Sequence, residues 1–146
     1  MKIIMKLLIL GLVLVGCSSA VSVETDEPGV AEAQILPKEE MEMLISKVDE
    51  TTIEYVMINH LPKSYTYGEM FTIEIYQNGT WQNVKMKDGV GFHAIGYVLK
   101  PLENVVGDFD YPFYFTNLPK GQYRLVKALF NEDHELRFVV GLFSMD

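Results

Sequence analysis

Two aspartates at alternate positions and three histidines are the side chains that could form a catalytic or metal-binding site. Asp108 and Asp110 would share one face of a strand, because side chains alternate across a sheet, and paired carboxylates can serve in acid–base chemistry. No nucleophile accompanies the pair, since no serine is flanked as Gly-x-Ser-x-Gly, so the polar side of an edge strand is the simpler interpretation. His60, His93 and His134 are dozens of residues apart, and none has the spacing of a zinc-binding pair.

The segment 131–135 is a second candidate for ion binding. Its sequence, Asn-Glu-Asp-His-Glu, gathers oxygen atoms and one imidazole, but it lacks the alternating ligands and central glycine of a calcium loop, which favours a solvated turn. We therefore predict no metal, no cofactor and no catalytic residue. The competing class is a small hydrolase or a ligand-binding sensor that uses Asp108, Asp110 or the turn around His134. A deep polar pocket containing two or more of these residues would favour that class.

The single cysteine ends a short leader at the start of the chain. Residues 3–15 form an apolar run, with Lys2 before it and Lys6 within it. The run is shorter than the roughly 18 to 20 residues that a membrane span needs. The run ends in Leu14-Val15-Gly16-Cys17, which resembles the lipobox of bacterial lipoproteins. The resemblance implies that residues 1–16 are a cleaved signal peptide and that Cys17 carries the lipid.

Acylation at Cys17 would determine where the protein resides. Two or more acyl chains anchor a protein stably to a membrane, because each buried methylene contributes about 0.8 kcal/mol. We expect a lipid-anchored protein on the outer side of the cell membrane, facing the cell exterior in a Gram-positive host. Ser18 would also permit sorting to the outer membrane of a Gram-negative cell, where the protein would face the periplasm. The chain has no second cysteine, so no disulfide within it can stabilise the fold.

The residues after the leader are strongly acidic. The chain has a formal charge of −8, and removal of residues 1–16 takes away Lys2 and Lys6 but no acidic residue, which leaves −10. This balance argues against a nucleic-acid partner and against electrostatic docking on anionic lipid, since both need clustered Lys and Arg. Between residues 18 and 40 the chain has many acidic residues and two prolines but no aromatic residue. We predict that residues 17–40 form a flexible acidic tether.

From residue 41 onward the apolar residues alternate with polar ones, a pattern typical of strands. Residues 39–48 could instead form a short helix, the weaker option because residues 49–52 would then have to lead directly into the next strand. The clearest element is a β-hairpin over residues 71–85, because Asn78-Gly79 suits the two positive φ angles of a type I′ turn. Seven or eight short strands follow from the whole pattern and predict an all-β sandwich.

The motif Leu118-Pro119-Lys120-Gly121-Gln122-Tyr123 enters a strand in the manner of a tyrosine corner. Together with Tyr67-Gly68-Glu69 and Asn78-Gly79-Thr80-Trp81, it resembles a bacterial immunoglobulin-like domain of Gram-positive surface lipoproteins over residues 41–143. The resemblance implies an immunoglobulin-like or fibronectin III-like antiparallel β-sandwich of about seven strands, which we assign to residues 41–146. It also implies that the ring of Tyr123 packs in the core while its hydroxyl binds backbone upstream.

Two groups of aromatic residues are candidates for partner contact. If they reach the surface, they would supply rigid contact area for an envelope protein or a cell-wall glycan; if they point inward, they fill the ends of the sandwich as core, which we favour. We predict a membrane-anchored, non-enzymatic binding or interaction module. A ligand-binding sensor or an inhibitor lipoprotein that presents a loop to an enzyme stays open as an alternative. The candidate contact residues are Tyr65, Tyr67, Tyr111, Phe113 and Tyr114.

Overall fold

A computed structural model describes residues 22–146, so the leader and the proposed lipid site at Cys17 lie outside the described residues. The regular secondary structure of the described residues consists of antiparallel strands, one 3₁₀ turn and one short helix, which confirms the predicted all-β sandwich. No helix of this part of the chain is long and apolar enough to span a membrane. The elements are β1 (Thr25–Pro28), a 3₁₀ turn (Glu32–Gln34), β2 (Met41–Val48), β3 (Thr52–Asn59), β4 (Tyr65–Gly68), β5 (Thr72–Gln77), β6 (Thr80–Val84), β7 (Gly96–Leu99), β8 (Asn104–Asp110), α1 (Tyr111–Tyr114), β9 (Gly121–Phe130) and β10 (Leu136–Met145).

The strands form a large sheet and a small sheet. The large sheet has the order β1-β6-β5-β9-β4-β7, with β10 also paired to β9, and the small sheet has the order β2-β3-β8. β9 organises the large sheet because it pairs with β10 along its whole length on one side and with β5 and then β4 on the other. β8 is an edge strand of the small sheet, hydrogen-bonded to β3 alone among the described strands.

Local sequence chemistry explains the hairpins. Asn78 and Gly79 have φ angles of 53° and 78°, and the register places Gln77 opposite Thr80, as the predicted type I′ hairpin requires. The segment considered as either strand or helix is a strand: β2 pairs with β3, and the two methionines Met41 and Met43 point into the core.

One hydrophobic core lies between the two sheets. Ile53 of β3 and Phe109 of β8 are opposite each other in the small sheet, and both are buried. From the large sheet, Ile73 of β5 and Leu125 of β9 face the same core. The sheets approach closely where β10 crosses β2, because a side chain at Gly141 would lie 2.8 Å from the side chain of Ile45. A larger residue at this crossing would force the side chains of Ile45 and Met43 to shift.

The segment predicted as a flexible tether is folded over residues 25–36. β1 pairs with β6, with Thr25 opposite Val84 and Pro28 opposite Gln82. Leu36 is buried, and its backbone N–H donates to the carbonyl of Phe138. The acidic, aromatic-free composition suggested a solvated chain, but here backbone pairing with an existing sheet edge orders the segment without a large apolar surface of its own.

A buried ion-pair network holds this N-terminal segment against the large sheet. Arg124 of β9 and Glu74 of β5 are both buried, and the guanidinium Nε donates to Glu74 Oε2. Arg124 Nη1 donates to Glu32 Oε1 at 2.7 Å and Nη2 donates to the carbonyl of Val30 at 2.9 Å. The N–H of Val30 donates in turn to Glu74 Oε1 at 2.7 Å, and the guanidinium lies 4.6 Å from the centre of the Trp81 ring. Every charge in this network therefore has a charged or backbone partner.

Candidate ligand-binding groove

Tyr123 has a structural role. Its side chain is fully buried, and its hydroxyl donates to the carbonyl of Pro119 four residues upstream, which is the contact that a tyrosine corner predicts. Burial raises the pKa of Tyr123 to about 12. The ring of Phe143 stacks on it with centroids 5.5 Å apart. This residue fixes the entry of β9 and is not available to a partner.

The five aromatic residues proposed for partner contact separate into different environments. Tyr65 is only 2 % exposed and belongs to the core, which corrects its inclusion among the contact residues. The hydroxyl of Tyr111 donates to the carbonyls of Asp49 and Glu50 and so braces the β2–β3 turn. Phe113 is 58 % exposed.

The remaining aromatic candidates meet at one groove, about 660 Å³ in volume, which lies between the edge of β8 and the strands β4 and β7. The volume is in the range of small-molecule and cofactor sites, about 300 to 1,000 Å³. Two ring pairs form part of its walls: one pair has centroids 5.4 Å apart and a 30° tilt, and the other is stacked at 5.1 Å and 12°. The aromatic lining residues are Tyr55, Phe71, Phe109 and Phe113 together with these pairs, Tyr67–Tyr97 and Phe92–Tyr114.

Gly107 makes room for one wall of the groove. It lies opposite Tyr55 in the pairing of β3 with β8, and a Cβ atom there would lie 2.3 Å from the hydroxyl and the ring of that tyrosine. The Tyr55 phenol therefore occupies the space where a side chain of β8 would otherwise stand. Its burial raises the pKa of the Tyr55 hydroxyl to about 12, so the group is a neutral donor at physiological pH.

A buried lysine forms the floor of the groove. Lys127 of β9 is 2 % exposed, and its Nζ donates to the carbonyls of Glu69 and Met70 at 3.3 and 3.2 Å. The ammonium lies 5.6 Å from the ring centre of Tyr55 and 5.8 Å from that of Tyr67, within reach of cation–π attraction. No carboxylate of residues 22–146 forms an ion pair with it. Desolvation lowers the pKa of Lys127 to about 8.

Sequence reasoning missed Lys127. The available signal was its position in β9, since Tyr123, Leu125, Lys127 and Leu129 alternate on the strand and three of the four are core residues. A lysine in an otherwise apolar, inward-facing series is a candidate functional residue, because charged side chains are seldom buried without a specific partner.

Carboxylates surround the upper part of the groove. Asp108 and Asp110 both line it and are exposed, and they alternate with the inward-facing Gly107 and Phe109, so their side chains start from the outer face of the edge strand. Glu69 accepts hydrogen bonds from the backbone N–H of His93 at 3.2 Å and from its ring Nδ1 at 3.0 Å, and the ring contact lowers the pKa of Glu69. The rim is therefore acidic and the floor is cationic.

The groove contains two of the residues that we associated with a hydrolase or a sensor. It is an open aromatic groove with exposed carboxylates at its rim, and its polar floor is a lysine and not a pair of acids. The surface formed by these residues is therefore concave and not flat. His134 has a φ of 60° in the β9–β10 turn and lines a different depression, with Ser64 and Thr66.

The histidines do not form a metal centre in the described part of the chain. His60 Nε2 lies 3.4 Å from Glu42 Oε2, and His93 contacts Glu69 as above. Residues 22–146 contain no group of three or more His, Cys, Asp or Glu side chains close enough to hold a metal ion.

Comparison with known proteins gives one finding on the family. A family model described as a bacterial Ig-like domain matches residues 37–138, and this range includes every strand from β2 to β9 and all residues named for the groove. A search of curated proteins finds no match.

Proposed function

We propose that this chain, which belongs to the bacterial Ig-like domain family, is a non-enzymatic binding module. Its lipobox-like leader would anchor it through a lipid on Cys17 at the outer face of a bacterial membrane. The ligand occupies the groove between β8 and the strands β4 and β7. The observation that carries this proposal is the convergence of exposed aromatic rings above a buried, carboxylate-free lysine. Exposed aromatic rings and an unpaired buried charge are unfavourable for folding alone, so their presence together indicates a binding role.

The groove has the chemical features of a binding surface. Phe113 and Tyr97 expose 58 % and 40 % of their area, and aromatic rings give much contact area for little loss of side-chain entropy. The surrounding carboxylates and the tyrosine hydroxyls supply hydrogen-bond acceptors and donors. Envelope proteins and cell-wall components are the partners that a lipid anchor would place within reach.

The proposed anchor and the folded N-terminal segment together limit where the groove can act. Only residues 18–24 separate Cys17 from the start of β1, a stretch that spans at most about 25 Å when fully extended. A lipid on Cys17 would therefore keep the domain close to the headgroups, in place of the longer reach expected for a tether of residues 17–40. Partners would be components that lie at or near the membrane surface.

Metabolic labelling with a fatty-acid analogue tests the anchor. We expect the wild-type chain to take up the label and to sediment with membranes, and we expect Cys17→Ala to lose both properties. A Cys17→Ala chain that still incorporates label and stays with the membrane would contradict the lipobox assignment.

A pair of matched tyrosine substitutions tests the groove. Tyr97 and Tyr76 are 40 % and 46 % exposed, and each has one aromatic neighbour, Tyr67 and Trp81 respectively, but only Tyr97 lines the groove. In the Cys17→Ala background, which removes binding through lipid, each variant is incubated with purified envelopes of the host and the bound fraction is measured. We expect Tyr97→Ala to weaken binding about tenfold with an unchanged melting temperature, and Tyr76→Ala to bind like the parent chain.

Equal binding by all three proteins would show that the groove is not the contact surface. A chain that turns over a screened substrate, with loss of turnover in Asp108→Asn or Asp110→Asn, would replace the binding proposal with the hydrolase alternative.

A further inference from the structure

The charge of Lys127 is only partly satisfied by the protein. An ammonium group has three N–H donors, and two of them bind the carbonyls of Glu69 and Met70. A buried cation is usually paired with an anion, because removing it from water costs several kcal/mol that neutral partners do not fully offset. Lys127 lines the groove, so an anionic group of a ligand can reach the ammonium there. The chemistry of the floor therefore favours a ligand with an anionic group.

The edge of β8 offers the second interaction. β8 has seven residues, pairs with β3 on one side and has no strand of residues 22–146 on the other, while its residues 106–110 line the groove. The unpaired backbone groups of an edge strand bind an extended peptide in the way that another strand would. At Gly107 the phenol of Tyr55 lies against this strand, so a ligand along the edge would also contact that ring. The edge favours a peptide over a sugar, which has no matching row of amide groups.

The acidic rim selects against other anionic ligands. Glu69, Asp108 and Asp110 surround the entrance, so a polyanionic glycan would meet three carboxylates before it reached the single lysine. A neutral glycan would leave the ammonium without a counter-ion. A peptide with free ends carries one carboxylate for the floor and one ammonium for the rim, and the aromatic walls can pack against its side chain and attract its cation.

We propose that the groove binds a short peptide with free ends, which lies along the open edge of β8 with its terminal carboxylate on Lys127 and its terminal ammonium near Asp108 and Asp110. The inference rests on the proposed function, because it names the ligand class of the same groove.

Titration calorimetry on the full chain in detergent tests the ligand class. The probes are tripeptides of the form Ala-X-Ala, in which X is an acidic, basic, aliphatic or aromatic residue, each with free ends, with an amidated C-terminus and with an acetylated N-terminus. We expect at least one free tripeptide to bind. Amidation should weaken its binding by about 10- to 100-fold, the range for a lost hydrogen-bonded charge pair, and acetylation should weaken it several-fold.

Lys127→Met is the matched variant, because methionine has a similar length without the charge. We expect this variant to bind the free and the amidated tripeptide equally. Since the preference for the free carboxylate is also measured on the unmodified chain, the test does not depend on whether the variant folds. Asp108→Asn should lessen the preference for the free N-terminus and leave the preference for the free carboxylate intact.

Three results would overturn the inference, and they are distinguishable from failure of the proposed function. Equal binding of free and amidated tripeptides would exclude the carboxylate contact. Equal binding of free and acetylated tripeptides would show that the C-terminal tail of a protein, not a short free peptide, is the ligand. If no tripeptide binds but cell-wall glycan freed of peptide binds and is lost in Tyr97→Ala, the groove is a binding site of another class. If, in addition, Tyr97→Ala leaves binding to the envelope unchanged, the proposed function fails as well.

Discussion

Replacement of Lys127 by methionine should change how the stability of the protein depends on pH. Burial lowers the pKa of this lysine from 10.5 to about 8, so the folded state releases its proton more readily than the unfolded state. Between these two values the unfolded chain binds more protons, and the free energy of unfolding must therefore rise as pH increases. The full difference corresponds to about 3 kcal/mol, at about 1.4 kcal/mol for each pKa unit.

Only part of this change in unfolding free energy can be measured without interference, namely the part that develops at pH values below those at which tyrosines ionise. Raising the pH from 7 to 9.5 should increase the unfolding free energy by about 2 kcal/mol, because the unfolded lysine is still mostly protonated at the upper limit. The hydroxyls of Tyr55 and Tyr123, whose pKa is raised to about 12, favour the folded state most below pH 10 and lose this contribution above it. They do not oppose the rise within the chosen window.

Urea unfolding followed by the fluorescence of the single tryptophan, Trp81, measures this effect at several pH values. We expect the wild-type unfolding free energy to rise between pH 7 and 9.5, and we expect Lys127→Met to show no such rise. Lys120→Met removes an exposed lysine and serves as the control, with a profile like that of the wild type. A wild-type profile that is flat or falls, or an equal rise in Lys127→Met, would refute the conclusion that burial of this ammonium lowers the free energy of unfolding.

Three further predictions concern single contacts. Gly107→Ala should cost about 1 to 3 kcal/mol and displace the facing tyrosine, since the new Cβ would lie 2.3 Å from it, whereas Gly91→Ala, with no neighbour within 4 Å, should be neutral in the same urea titration. Tyr123→Phe should cost about 1 kcal/mol in that assay through loss of one hydrogen bond, and a larger loss with altered near-ultraviolet circular dichroism would mean that the ring itself has moved. Glu74→Gln should cost about 3 to 5 kcal/mol because it leaves a buried guanidinium with only the exposed carboxylate of Glu32 as a charge partner. Glu32→Gln, whose side chain is 75 % exposed, should cost less than about 1 kcal/mol, and equal costs would contradict the assigned network.

The sequence predicted those features that depend on neighbouring residues. Asn78-Gly79 specifies its turn by backbone preference alone, and the hairpin is present with the expected register. The alternation of apolar residues predicted the strands because one face of each sheet is buried. The approach to Tyr123 was recognisable because the corner is closed within four residues.

Features that depend on distant residues could not be derived in the same way. Residues 25–36 looked like solvated chain, but they are held by Arg124 and by the edge of β6, which lie some 50 to 100 positions away in the chain. The groove likewise joins Tyr67 of β4 to Phe113 of α1, and their proximity follows from the pairing of β4 with β9 and from the packing of the two sheets. The local sequence pattern therefore identified the residue types of this site but could not show that they lie together in the fold.

Photo-crosslinking in the native envelope tests the central claim most directly. A benzophenone amino acid is placed at Phe113 in the groove or, as a matched control, at Leu142 on β10, which is 67 % exposed and lies outside the groove. Because both positions are exposed, neither substitution should alter the melting temperature. The proposed binding module predicts a defined adduct from position 113 that disappears when Tyr97→Ala is added, and no such adduct from position 142. Adducts from position 142 alone, or equal adducts from both positions with and without Tyr97→Ala, would contradict it.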